Sequence, residues 1–299
     1  MKGLACASQF KLALLNVPLR RCCAKISYAS AFGTRYHGVV FLMVYTPYDW
    51  AQTLRQKADY VEDRLRLGSP VVALSCHEGV LIVTIHQAQR KIYEAYDRLA
   101  FAALGQQADI EAIRMLVIDF THVEGFQRSP EDVSIQRVVG FAISPTLRRA
   151  FSDPFRAPFV LRALLAQVGE RPEDDVFYVI NYDGEFAQRE LVAAICGTPS
   201  VEEDVEGEVR KRLKLGEVKL HDALNVALIA WAFGKLKTDD SGASRENVTD
   251  EELHKVLSES LSSGRVEAAL LERHSQRERR FRLLSDSEVK PIISAFQRV

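Results

Sequence analysis

The residue types that carry most metal and nucleophilic chemistry are scattered along this chain. It has seven histidines and five cysteines, and the two cysteines beyond its first 42 residues, Cys76 and Cys196, form neither a CxxC pair nor a cluster with histidine. No GxGxxG, P-loop, GxSxG or HExxH pattern is present, which argues against dinucleotide, nucleotide and metalloprotease chemistry. The sequence therefore predicts no metal ion and no cofactor.

The composition is that of an ordinary globular protein. With 299 residues, 47% of them hydrophobic, the chain has enough apolar side chains for one domain of about 200 to 250 residues and some appendages. Its formal net charge of -1 gives no indication of a nucleic-acid partner, and no uncharged apolar run approaches the roughly 18 residues of a membrane span. We expect a cytoplasmic protein that acts on neither nucleic acid nor membrane.

The first 42 residues differ from the rest in charge. They contain six basic side chains and no aspartate or glutamate, together with three of the five cysteines. A targeting sequence is the less favoured interpretation, because the apolar run 12–17 is short and lacks a small-residue cleavage site. Residues 1–42 are instead predicted to be a basic extension, either disordered or produced by a start codon assigned upstream of Met43. Residues 43–299 are predicted to form a single domain.

A well-marked helix opens this domain, and we expect it over residues 46–67. Thr46 suits the N-cap, Pro47 suits the first helical position, and the helix dipole favours an acid at Asp49. Apolar residues then recur at spacings of three and four, and Gly68 ends the helix.

Strands and helices follow this first helix in blocks. Two β-branched runs separated by the turn residues 76–79 predict a hairpin. The predicted strands are Val71–Ser75, Val80–Ile85, Ile92–Glu94, Leu99–Ala103, Phe159–Gln167, Val176–Asn181, Leu191–Ile195, Arg265–Glu272 and Arg279–Leu283. The predicted helices are Ile110–Val123, Asp132–Phe151, Val205–Leu213, His221–Phe233 and Ser287–Phe296. A polar insertion is expected over residues 237–263, with a short exposed helix at 251–261.

The order of these elements indicates a fold class. Two helices stand between blocks of strands, and this arrangement occurs twice. A doubly wound parallel sheet would instead alternate single strands with single helices. The expected fold class is therefore α+β, a four-layer α/β/β/α sandwich of two antiparallel sheets flanked by helices.

The stretch from Gly68 to Arg114 carries a resemblance to a known family. It combines Gly-Ser-Pro-Val-Val-Ala-Leu from Gly68, a glycine-turn hairpin, and Lys-Ile-Tyr-Glu-Ala-Tyr-Asp-Arg-Leu-Ala-Phe-Ala-Ala-Leu-Gly from Lys91. In these strings the chain resembles proteasome subunits, most closely the bacterial α type, and the resemblance covers residues 46–296. It implies the fold of the N-terminal nucleophile hydrolases.

The resemblance also implies an assembly, the proteasome core particle, which is a threonine-type endopeptidase complex. Seven copies of an α-type subunit would form its outer ring and cap the rings of β-type subunits. This outer ring would gate the access of unfolded protein substrates and dock a ring ATPase or other activator.

Ser69 and Lys91 acquire possible roles from this resemblance, and two interpretations are open. In β-type subunits an N-terminal nucleophile occupies a position that corresponds to Ser69 or to its neighbour in this chain. It is activated by its own α-amine and by a lysine at the position that corresponds to Lys91. Against this, Ile85 takes the place of the acidic partner, Pro70 follows Ser69 directly, and a capped helix precedes it. We therefore favour a non-catalytic α-type subunit over a self-processing peptidase with Ser69 as nucleophile.

Lys91 has a different role in the α family. There the matching lysine lines a pocket between neighbouring subunits and pairs with the C-terminal carboxylate of an activator. A compact ammonium group suits a terminal carboxylate in a partly desolvated pocket. Under this interpretation Lys91 is the activator-binding residue and no residue of the chain is catalytic.

Overall fold

The chain divides into two compact units, residues 1–46 and 47–299. The computed structural model describes residues 27–28, 36–37, 47–213, 217–239, 248–275 and 279–296. In the first unit, strand β1 (Ser27–Tyr28) pairs antiparallel with strand β2 (Tyr36–His37). Most of the extension predicted over residues 1–42 lies outside the described residues, so that interpretation stays a prediction.

The second unit opens with helix α1 (Pro47–Leu65), inside the range expected from the sequence. The chain turns at Gly68, whose N–H donates a hydrogen bond to the Leu65 carbonyl at 2.7 Å. A Cβ atom at Gly68 would lie 2.8 Å from that oxygen, and one at Gly197 would lie 2.6 Å from it. The end of α1 is therefore packed between two positions that have no room for a side chain.

Among the described residues, the second unit contains two antiparallel sheets of five strands each. The first consists of β3 (Val71–Cys76), β4 (Gly79–His86), β10 (Val192–Ile195), β11 (Arg265–Glu272) and β12 (Phe281–Leu283). The second consists of β5 (Ile92–Tyr96), β6 (Leu99–Gly105), β7 (Leu161–Gln167), β8 (Val176–Ile180) and β9 (Phe186–Glu190). The strand orders are β10–β3–β4–β11–β12 and β5–β6–β7–β8–β9.

Helices cover the outer face of each sheet. Those against the second sheet are α2 (Gln107–Gln127), α3 (Ile135–Arg137) and α4 (Ser144–Ser152), with the π-helix Val138–Ile143 between the last two. Those on the side of the first sheet are α5 (Ser200–Arg212), α6 (Leu220–Asp239), α7 (Asp250–Ser263) and α8 (Asp286–Phe296). The predicted α+β class, a four-layer α/β/β/α sandwich, is confirmed. Within the described part of the chain, no helix has the length and apolar character that a membrane span requires.

Strand β3 shows how both faces of a sheet are buried. Val71 and Ala73 belong to the apolar cluster between the two sheets, whereas Val72 and Leu74 belong to the cluster beneath the helices. Because neither face meets water, the strand is a continuous apolar run without polar alternation. This explains why β3 and β4 were predictable from the sequence.

The single helix predicted over Asp132–Phe151 is wrong. The structure has a 3₁₀ turn at Pro130–Asp132, followed by α3, the π-helix and α4. Pro145 has no N–H, so the hydrogen bond that a regular α-helix would place on the Phe141 carbonyl cannot form. Phe141 lies within the π-helical stretch, so the irregular helix geometry coincides with this gap in the hydrogen-bond ladder.

The polar region expected over residues 237–263 contains more helix than the sequence indicated. Helix α6 continues to Asp239, and α7 begins after a capping box in which Thr249 and Glu252 bond each other's backbone N–H groups. The helix expected at 251–261 corresponds to α7. The expectation that it is exposed is wrong, because Leu253 and Leu257 are buried in the cluster beneath the helices.

Strand β9 was not predicted. Its residues Phe-Ala-Gln-Arg-Glu are mostly polar, and it lies at the edge of the second sheet, where it pairs with β8. An edge strand with one solvated side lacks the long apolar run that revealed the central strands.

Lys57 attaches the middle of α1 to the end of α4. Its Nζ donates to the carbonyl oxygens of Phe151 at 3.2 Å and Asp153 at 2.6 Å. The last carbonyls of a helix have no partner within the helix and carry a partial negative charge, so a lysine stabilises them. Helix α1 is therefore held at two places, at Lys57 and between the two glycines at its end.

A buried ion pair joins the two sheets. Arg273 directly follows β11 and Asp175 directly precedes β8, and their side chains are 2% and 0% exposed. The guanidinium donates to both carboxylate oxygens of Asp175 at 2.7 Å and also to the carbonyls of Gly169 and Cys76. The bidentate geometry and the extra carbonyls provide partners for charges that would otherwise be costly to bury.

We predict that Asp175→Ala lowers the free energy of unfolding by about 3 to 5 kcal/mol, because it leaves the Arg273 guanidinium buried without its counter-charge. Asp174→Ala is the matched control, since it removes an exposed, solvent-screened pair with Arg171 and should lower the stability far less than Asp175→Ala does. Urea unfolding of the two variants measures both values. Equal losses would show that the buried pair does not hold the sheets together.

Candidate functional site

An open cavity of about 530 Å³ lies where the end of α1 meets β4, α2, α6 and α7. Four basic residues line it: Arg64 of α1, His86 of β4, Lys91 before β5, and Lys235 of α6. Its apolar lining is formed by Leu67, Ile85, Ile110 and Trp231. None of the described lining residues is an aspartate or a glutamate. The cavity therefore favours a ligand that combines a negative charge with an apolar part.

Lys91 is placed at this cavity by the first residues of the second sheet. Its Nζ donates to the Ser69 carbonyl at 3.3 Å, and its own carbonyl accepts the Ala103 N–H of β6 at 3.1 Å. Burial lowers the pKa of Lys91 to about 8, an effect that the Glu267 carboxylate opposes and the Lys235 ammonium increases. The side chain is thus still mostly charged at neutral pH, although it has lost much of its hydration.

Ser69 lies beside Lys91, but its hydroxyl bonds other groups. The Oγ donates to the Ile85 carbonyl at 2.6 Å and accepts the Trp231 indole N–H at 3.1 Å. Lys91 approaches the carbonyl oxygen of Ser69, whereas a general base would have to meet the hydroxyl. In this arrangement the Ser69 side chain links β4 to α6.

Glu267 belongs to the same site and was missed by the sequence analysis. It lies in β11, 5% exposed, and its carboxylate accepts the backbone N–H groups of Lys91 at 2.8 Å and Ile92 at 3.3 Å. The signal that could have identified it is a single charged residue inside the predicted apolar strand Arg265–Glu272, because a buried carboxylate requires partners.

Trp231 and Lys235 were also missed as site residues. They lie four residues apart on α6, a spacing that places both on one face of the helix and both at the cavity. Trp231 is 2% exposed, and Lys235 Nζ donates to Asp239 at 2.9 Å. The helix was predicted over 221–233, so Lys235 fell outside it.

Comparison with known proteins identifies similar chains. No protein-family model matches. The chain is 30% identical over 233 residues to the proteasome subunit alpha of Thermobifida fusca, an alignment that covers 77% of this chain and 83% of the relative. It is 29% identical over 236 residues to that of Kineococcus radiotolerans, covering 78% and 91%. The proteasome subunit alpha of Actinosynnema mirum is 29% identical over 244 residues, covering 81% and 84%. The similarity therefore extends through most of the fold and is not confined to one motif.

We predict that the bond between Trp231 and Ser69 contributes about 1 kcal/mol to stability, measured as the coupling energy of a double-mutant cycle. The cycle consists of Ser69→Ala, Trp231→Phe and the double variant, compared by urea unfolding. Ser75→Ala is the matched control, because the Ser75 hydroxyl is buried and has no hydrogen-bond partner among the described residues. A coupling energy near zero would contradict the structural role given to the Ser69 hydroxyl.

Proposed function

The chain belongs to the family of proteasome α subunits, and on that basis we propose that it is a non-catalytic subunit of a bacterial proteasome core particle. Seven copies form the outer ring, which stacks on β-type subunits in the cytoplasm. The ring gates the access of unfolded protein substrates and docks a ring ATPase or other activator. Lys91 is the residue that binds the activator.

The observation that carries this proposal is the charged Lys91 in a cavity with four basic and no acidic lining residues among those described. A C-terminal carboxylate supplies the negative charge, and the side chain of the last residues can cover the apolar wall. Charge-assisted hydrogen bonds of this type are about twice as strong as neutral ones. His86 Nδ1, which is buried and has no partner among the described residues, is a further polar atom at the same wall.

The contacts of Ser69 support the non-catalytic part of the proposal. Its hydroxyl bonds the Ile85 carbonyl and the Trp231 indole, and Ile85 itself is an apolar residue, 4% exposed. A nucleophilic serine requires a base on its hydroxyl and commonly a third group that orients that base. The self-processing peptidase therefore gains no support from the geometry at Ser69.

We predict that Lys91→Ala removes one charge-assisted contact, worth about 1.5 to 3 kcal/mol in each occupied pocket. Because several pockets act on one activator, the total loss of binding should be large. The measurement compares ATPase binding and ATPase-dependent protein degradation with hydrolysis of a small peptide by the particle assembled with β subunits. Lys211→Ala is the control, since Lys211 is an exposed lysine of α5 whose Nζ lies 3.8 Å from Glu208.

Activator binding and activator-dependent degradation should fall in Lys91→Ala alone, while both variants keep ring assembly and peptide hydrolysis. Unchanged activator binding in Lys91→Ala would refute the role given to this lysine. Loss of peptide hydrolysis by intact rings would instead assign it to catalysis.

We also predict that activator affinity depends on pH through Lys91. Its pKa of about 8 is the folded value without ligand, so the ammonium is present below pH 8 and is lost as the pH rises above it. Affinity for a peptide with a free C-terminal carboxylate should fall about tenfold between pH 7 and pH 9. Lys91→Arg should flatten this profile, because a guanidinium stays charged throughout. The C-terminal amide of the same peptide controls for other titrating groups.

A further inference from the structure

Glu267 is a carboxylate buried inside a sheet, and its surroundings explain how it is tolerated. Its side chain is 4% exposed, and it stands in β11 opposite Thr84 of β4. Burying an ionised carboxylate is unfavourable unless hydrogen bonds and charges compensate. The partners of Glu267 therefore indicate what the residue does.

Three consecutive residues supply these partners, namely the first residue of β5 and the two residues before it. The Lys91 N–H donates to Oε2 at 2.8 Å, the Ile92 N–H donates to Oε1 at 3.3 Å, and Arg90 Nε approaches Oε1 at 3.3 Å. Glu267 is in the first sheet and β5 is in the second. One side chain thus fixes the backbone at the point from which Lys91 extends towards the cavity.

The charge of Glu267 acts on Lys91 without occupying its ammonium. Lys91 Nζ donates to the Ser69 carbonyl, and the contact between Glu267 and Lys91 runs through the backbone N–H. A direct ion pair would compete with an anionic ligand for the same donors. A carboxylate that bonds the backbone N–H of the lysine stabilises the positive charge and leaves the remaining N–H donors of the ammonium for the ligand.

The other ionisable side chains around Lys91 are of basic types. Arg64 on α1, His86 on β4 and Lys235 on α6 line the same cavity, and Arg90 is the preceding residue. The Lys235 ammonium and burial both favour the neutral form of Lys91, and Glu267 opposes them. Lys235 is itself paired with Asp239, so its effect is partly compensated.

We propose that Glu267 is the positioning residue of the Lys91 site. It fixes the backbone of residues 90–92, and its negative charge keeps the Lys91 ammonium protonated for a carboxylate ligand. The ligand part of this inference rests on the proposed function, whereas the action of Glu267 on Lys91 does not.

The test is Glu267→Gln, which keeps the shape and one acceptor oxygen but removes the charge. Glu272→Gln is the matched control, because it removes a carboxylate that pairs with Arg282 at the far end of the same strand. In the full-length chain, acetylation of Lys91 by an amine-reactive ester is followed against pH by peptide mass spectrometry. The midpoint of labelling should move to lower pH in Glu267→Gln and stay in place in Glu272→Gln. An unchanged midpoint in folded Glu267→Gln overturns the proposal.

A peptide with a free C-terminal carboxylate, compared with its amide, tests the consequence for docking. At pH 8, Glu267→Gln should bind the carboxylate peptide about three- to tenfold more weakly than the unaltered protein. At pH 6, where Lys91 is protonated in both proteins, the difference should be smaller and should reflect only the backbone hydrogen bond that glutamine cannot accept. A loss that is equal at both pH values overturns the electrostatic role. If the labelling midpoint moves but Lys91→Ala binds the peptide normally, the proposed function fails and the action of Glu267 on Lys91 stands.

Hydrogen exchange in the unaltered protein tests the positioning role without any variant. The Lys91 and Ile92 amides should be protected, because their hydrogens lie on a buried carboxylate. Rapid exchange of both amides in the folded protein overturns that role. Because this test uses the unaltered protein, it remains decisive if Glu267→Gln does not fold.

Discussion

The architecture depends on one constraint, that the strands between the layers of this sandwich meet apolar groups on both faces. In such a layer the buried backbone N–H and C=O groups must be hydrogen-bonded. Any buried charged side chain needs hydrogen-bond partners or an opposite charge nearby. The two buried charged residues in or directly after β11 meet this requirement in different ways. Arg273 pairs with Asp175 across the sheets, and Glu267 binds backbone N–H groups at the start of β5. They are six positions apart, about 20 Å along an extended chain, so the two sheets are joined by polar contacts near both ends of one strand.

The candidate cavity follows from the same constraint. It opens where β4 ends and the continuous apolar layer gives way to the end of α1 and to α6. A lysine at this boundary has lost enough hydration to favour binding a carboxylate. It is not buried so deeply that it loses its charge at neutral pH. A hydrogen bond joins Trp231 and Ser69, which both line the wall beside it. Side chains that are already held in place lose less conformational entropy when a ligand binds.

The fold was predictable from the sequence to the extent that each element had a local signal. Central strands such as β3 could be predicted because they are apolar runs. Helix α1 could be predicted because a proline and an acidic residue occupy its first turn. The edge strand β9 had no such run, and the interrupted helix before Phe151 depended on a missing N–H at Pro145. The site was only half predictable. Ser69 and Lys91 lie within one recognisable stretch, whereas the partners Trp231 and Glu267 are 162 and 176 positions away in the chain.

The contacts of helix α1 determine which part of the helix is held in place. Lys57 binds the end of α4, and the helix end is enclosed by Gly68 and Gly197. From Lys57 to Leu65 the helix rises about 12 Å, and from Lys57 back to Pro47 about 15 Å. A stiff rod that is held at its middle and at one end can bend only along its other arm, which here runs from Lys57 back to Pro47. Any displacement of α1 is therefore expected at its first turn, where the long hydrogen bond of 3.4 Å from the Trp50 indole to the Ser152 carbonyl is a contact with α4.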